Sequence, residues 1–89
     1  MIRRKITIIN KLGLHARASS KLVQLANKFN CTIFIENGNR RANAKSLMSV
    51  MMLSAKIGTI IDIIADGVDE NIALSAIHEL INSKFGELE

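Results

Sequence analysis

Proline, tryptophan and tyrosine are missing from all 89 residues, and the aromatic complement stops at Phe29, Phe34 and Phe85. So few aromatic side chains leave no stacking platform of the kind that binds single-stranded nucleic acid, and no recognition motif replaces it. A single cysteine, Cys31, excludes an internal disulfide and suits a reducing compartment; it reads as a small buried hydrophobe at a strand start. The apolar run behind Arg3, Arg4 and Lys5 ends at Ile9, too short for a signal peptide or a membrane span, so a soluble cytoplasmic protein is expected. There is no metal-ligand cluster, no phosphate loop and no nucleophile–base pair. Neither a metal, nor a cofactor, nor an independent enzyme is expected.

Acidic residues are also scarce where it matters. Residues 1–56 hold eleven of the twelve basic side chains and a single acid, Glu36, for a net +10, whereas residues 57–89 carry a net −6. A basic half of this kind suits an acidic protein surface better than nucleic acid, given the missing aromatics. Hydrophobic residues make up 48% of the chain, and no repeat or linker divides it. One domain, residues 1–89, follows from that length and content.

The periodicity predicts seven elements. Ile6–Ile9 reads as a strand and Asn10–Gly13 as a turn. Ala18, Leu22, Leu25, Ala26 and Phe29 recur at helical spacing, predicting a helix over Ala16–Lys28. Thr32–Ile35 is a second strand; Asn37-Gly38 signals a hairpin, with Arg40–Asn43 returning as a polar third strand. Ser46–Leu53 is a short helix, and Thr59–Ile64 a fourth strand behind Gly58. Asp69 is a natural N-cap for a last helix with Ala73, Ala76, Ile77, Leu80 and Ile81 on one face. The order βαββαβα, with short connections, predicts an α+β fold: an antiparallel sheet with its helices across one face.

Function concentrates in Gly13-Leu14-His15-Ala16-Arg17-Ala18-Ser19. His15 stands between a glycine-permitted turn and a helix start, where unpaired amides and the positive end of the helix dipole favour an anion. A neutral imidazole there is a nucleophile for a phosphoryl group, and the amides of Ala16, Arg17 and Ala18 with the Arg17 guanidinium are its counter-charges. His78, the other histidine, reads as a solvated helix residue without a role.

A second segment carries Ser46 at a helix start, followed by Leu47, Met48, Val50, Met51, Met52 and Leu53. That is more apolar surface than one buried stripe accommodates on so short a helix. Some must face outward, with Leu47 and Met48 the first choices and Met51 beside them. Edged by Arg17, Lys21, Lys45 and Lys56, the patch reads as a protein-docking surface in which methionines adapt to several partners.

Residues 13–19, Asn43–Met51 and Gly67–Asn71 together resemble the signature segments of the HPr family, the histidine-containing phosphocarriers of the bacterial phosphoenolpyruvate-dependent phosphotransferase system. The resemblance implies an open-faced sandwich of four antiparallel strands and three helices. It implies phosphate on Nδ1 of His15 with Arg17 assisting, enzyme I as donor and IIA-type proteins as acceptors. Ser46 would be the target of an HPr kinase/phosphorylase where the host has one, and the carrier would be a monomer. Ala18 stands where that family usually has proline. Two rivals accompany this reading: a nitrogen-regulatory relay of the same system, and a small basic nucleic-acid-binding domain.

Overall fold

The computed structural model describes residues 1–89. Strand β1 (Ile2–Thr7) leads through a loop into helix α1 (Ala16–Ala26). Strands β2 (Thr32–Asn37) and β3 (Arg40–Asn43) form a hairpin, followed by helix α2 (Leu47–Met51), strand β4 (Ile60–Asp66) and helix α3 (Glu70–Asn82). The chain closes with a 3₁₀ turn over Lys84–Gly86.

The sheet runs β1-β4-β2-β3 and every pair is antiparallel. Its three helices cover one face, the open-faced sandwich expected from the element order. Alternation along the strands explains the layering. Ile6, Ile33, Ile35, Ile61 and Ile63 point into the helices and are buried there with Leu22, Leu74, Ile77 and Ile81. The opposite positions form a charged surface. Arg3 donates to Glu36 at 3.0 Å and to Asp62 at 2.6 Å, Lys5 donates to Asp62 at 3.0 Å, and the Arg41 guanidinium lies 4.2 Å above the Phe34 ring.

That charged face corrects the first strand, which covers Ile2–Thr7 and not Ile6–Ile9. The basic residues 3–5 hide a period-2 strand because their partners lie far along the chain: acids on β2 and β4 for Arg3 and Lys5, and His78 on α3 for Arg4. The expected Asp69 cap is corrected as well, and Ser46 stands just before its helix. Ser46 and Asp69 occupy N-cap positions, but neither side chain makes a capping hydrogen bond. Asp69 instead accepts from the amides of Asn30 (2.8 Å) and Cys31 (2.9 Å), tying the start of α3 to the start of β2. At the start of α3, Glu70 accepts from the Gly67 amide. The helices also end sooner than expected, α1 at Ala26 and α2 at Met51, and β4 runs on to Asp66. In α1 Ser19 joins the buried stripe, and in α3 Leu74 does so while Ala76 and Leu80 are only half-buried.

These carboxylates make the fold acid-sensitive. Salt-bridging hydrogen bonds from Arg3 and Lys5 hold Asp62 below its ordinary value, the Asn30 amide does so for Asp69, and the Gly67 amide for Glu70. Carboxyls lowered by folding contribute stability that is complete above their unfolded values, near pH 4, and lost as pH falls through the lower folded ones. Thermal unfolding followed by circular dichroism is therefore expected to show a flat midpoint from neutrality to about pH 5 and a decline below it. Asp69→Asn keeps one acceptor oxygen but turns an NH₂ toward a backbone N–H. It is expected to lower the neutral-pH midpoint by several degrees and to shallow the acid decline.

Candidate functional site around His15

The turn before α1 is built on two residues. Gly13 adopts φ +66°, and the buried Asn10 side chain donates through Nδ2 to the Gly13 carbonyl at 2.8 Å. Leu14 is buried and its amide donates to the Ala55 carbonyl at 2.9 Å, so the loop is pinned to the segment after α2. Ser19, buried on the first turn of α1, donates its hydroxyl to the Leu14 carbonyl at 3.0 Å. Between these anchors the chain has little freedom, and His15 is delivered to the N-cap of α1 with extended backbone angles.

The imidazole is held at both nitrogens. Nδ1 accepts from the Arg17 amide at 3.3 Å, a long bond, and Nε2 lies 2.5 Å from Oε2 of Glu87. An amide can only donate and a carboxylate can only accept, so the proton of the neutral ring belongs on Nε2 and the lone pair on Nδ1. The ring is 28% exposed at one side of a cleft of about 530 Å³ lined by Lys11, Leu12, Arg17 and residues 86–89.

The groups expected to bind an anion lie at this helix start. Ala16, Arg17 and Ala18 are the first three residues of α1, whose amides have no acceptor within the helix. No acidic residue sits in that first turn. The Arg17 side chain is exposed and makes no hydrogen bond or salt bridge, so its guanidinium donors are uncommitted. Ala16 is exposed, whereas the Ala18 methyl is buried against the core.

The second segment is partly redistributed. Leu47 and Met48 are exposed at 41% and 70%, with Met51 and Met52 also outward, while Val50 and Leu53 enter the core. Lys21 and Lys45, expected to edge the docking patch, are half-buried and bonded to backbone carbonyls. Lys21 Nζ donates to the Phe85 carbonyl at 2.6 Å and Lys45 Nζ to that of Phe29 at 2.7 Å. Phe29 lies in the turn after α1 and Phe85 in the 3₁₀ turn, and a lysine stem reaches each carbonyl while covering apolar surface. Ser46 is half-buried between β3 and α2. His78 is not freely solvated: its Nδ1 accepts from Arg4 at 2.9 Å. Cys31 is buried and free, as expected.

The residue that sequence reasoning missed is Glu87. Its carboxyl is held below the usual carboxylate range, first by the hydrogen bond from His15, then by that from Asn10 and by the charge of Arg17. Nothing near it in sequence marks it, because its partners lie at the other end of the chain.

Comparison with known proteins bears on this arrangement. A family model described as the PTS HPr component phosphorylation site matches residues 2–83. The phosphocarrier protein HPr of Cupriavidus necator is 51% identical over 89 residues, covering the whole of both chains. That of Neisseria meningitidis serogroup B is 48% identical over the same full length. The crystal structure of HPr-C-His from Thermoanaerobacter tengcongensis superposes with a TM-score of 0.96 at 44% identity, again over the whole of both chains.

Proposed function

The chain belongs to the HPr family of phosphocarrier proteins, and from that premise we propose that it carries a phosphoryl group on Nδ1 of His15. The group comes from phospho-enzyme I and goes to IIA-type proteins in the cytoplasm. One observation carries the reading: the ring sits at a helix N-cap with its Nδ1 lone pair facing the Arg17 amide.

The chemistry follows from that contact. As the Nδ1–P bond forms, the bond between phosphorus and the donor breaks and its electron pair leaves with the donor. The Arg17 amide, which rests on Nδ1, is then free to bond a phosphoryl oxygen. The Ala16 amide and the Arg17 guanidinium take the others, since a dianion at a helix start is stabilised by both the N–H groups and the dipole; the Ala18 amide beside them is dispensable. The protein is thus a covalent intermediate between two enzymes and turns over no small molecule alone. The exposed Leu47, Met48 and Met51 supply an adaptable apolar contact for both partners. Phosphate on Ser46, placed by an HPr kinase/phosphorylase, would add roughly −2 charge beside that contact and weaken docking by acidic partners.

The test is incubation with labelled phosphoenolpyruvate and enzyme I, followed by mapping of the modified residue. One acid-labile phosphate on His15 is the expected result; phosphate elsewhere, or none, would refute the reading. Ala18→Pro provides a second measurement. Position 18 is the third residue of α1, where the amide has no helical acceptor to lose and the φ of proline is already helical. Initial transfer rates within a few-fold of the wild type are expected.

A further inference from the structure

Residues 84–89 are fastened around the His15 cleft at several points. Lys84 and Phe85 both adopt left-handed backbone angles, φ +58° and +57°, which side chains other than glycine avoid. Phe85 is buried at 1% exposure and anchors the turn, and Lys21 Nζ holds its carbonyl. The tail then delivers Glu87. Its Oε2 meets Nε2 of His15 at 2.5 Å, and its Oε1 accepts from Asn10 Nδ2 at 3.1 Å. Asn10 is wholly buried, and its Oδ1 has no hydrogen-bond partner. A buried amide with an orphaned oxygen is a cost that most positions do not carry. Here its NH₂ is spent on the two groups that frame His15: the Gly13 carbonyl and the Glu87 carboxylate.

The geometry points to Glu87 as a positioning residue for phosphoryl transfer: buttressed by Asn10, it holds the proton on Nε2 and turns the Nδ1 lone pair of His15 toward the incoming phosphorus. This rests on the phosphocarrier reading and deepens it. When Nδ1 bonds phosphorus, the Nε2 proton stays in place and the ring acquires positive charge. A carboxylate against Nε2–H compensates that charge without taking the proton. When the phosphoryl group departs, the Nδ1–P electron pair returns to the ring and the resting arrangement is restored. The relation is that of an orienting carboxylate to a histidine whose other nitrogen does the chemistry.

The test compares the full-length wild type with Glu87→Ala and Glu87→Gln in two measurements. Proton NMR observes the imidazole N–H, and steady-state phosphorylation through enzyme I separates kcat from KM. In the wild type the Nε2 proton is expected as a low-field resonance protected from exchange. Glu87→Ala is expected to lose it and to lower kcat about 10- to 100-fold with little change in KM. Glu87→Gln keeps an acceptor oxygen without the charge, and is expected to recover part of both. Asn10 retains its bond to Gly13 in either variant, so the loop stays built. An unchanged kcat in Glu87→Ala, a loss confined to KM, or a wild-type ring without the protected proton would each overturn the proposal. A wild type that takes no acid-labile phosphate on His15 would instead remove the carrier reading beneath it.

Discussion

His15→Ala is expected to lose all acid-labile phosphorylation while keeping the fold. The ring's contributions to stability are few: a long bond from the Arg17 amide and the contact with Glu87, both at the surface of one helix start. Replacing an N-cap side chain by alanine costs about 0.5–2 kcal/mol, against a total stability of roughly 5–15 kcal/mol for a domain. No second nucleophile stands ready to substitute. His78 faces Arg4 on the far strand, and Cys31 is buried. Phosphate incorporation from labelled phosphoenolpyruvate is therefore expected to fall to background, with a circular dichroism melt within roughly 10 °C of the wild type. The same variant separates the nucleic-acid rival, which predicts salt-sensitive binding to DNA or RNA that survives the substitution. The fold already weakens that rival. Arg3 and Lys5 are neutralised by Asp62 and Glu36, whereas Lys21 and Lys45 keep their charge but each spend a donor on a backbone carbonyl. The basic half of the sequence is thus less basic as a surface than as a composition.

What could be read from the sequence was what depends on neighbours. The Gly13 turn, the start of α1 at Ala16 and the amides around His15 all lie within seven residues, and local rules of φ, capping and dipole cover them. The outward Leu47 and Met48 were legible for a different reason, since a helix of that length cannot bury six apolar side chains. Apart from helix ends misplaced by two residues, the main failures are non-local. The early start of β1 is masked by Arg3, Arg4 and Lys5, whose place on a strand makes sense only beside Asp62 for Arg3 and Lys5 and beside His78 for Arg4. Asp69 looked like a cap until the amides of Asn30 and Cys31 were brought to it. Glu87 meets His15 across 72 positions of chain, by way of a left-handed turn on Lys84 and Phe85 that neither residue type advertises. Half of the immediate surroundings of the ring therefore came from the fold alone.

Gly13→Ala is expected to damage stability and transfer together, because the loop that carries His15 is clamped from below. Gly13 sits at φ +66°, where an added side chain costs about 1–2 kcal/mol in backbone strain. A Cβ there would also lie 2.5 Å from the Ala55 carbonyl oxygen and 3.0 Å from the Lys56 Cα. Neither atom is the end of a flexible side chain. The Ala55 oxygen is itself the acceptor for the Leu14 amide at 2.9 Å, so relieving the clash breaks the bond that pins the loop. Strain and the lost bond together predict a destabilisation of about 2–4 kcal/mol and a melting midpoint lower by at least roughly 10 °C. The loop would move away from Ala55 by something like an ångström and carry His15 with it. A misplacement of that size typically costs about 100-fold in a transfer that depends on alignment. Gly58→Ala is the matching control: its φ is +86°, but an added Cβ meets nothing within 4 Å. It is expected to show the backbone penalty in a thermal melt and near-normal phosphorylation, and equal transfer rates in the two variants would mean that the loop does not hold the imidazole rigidly.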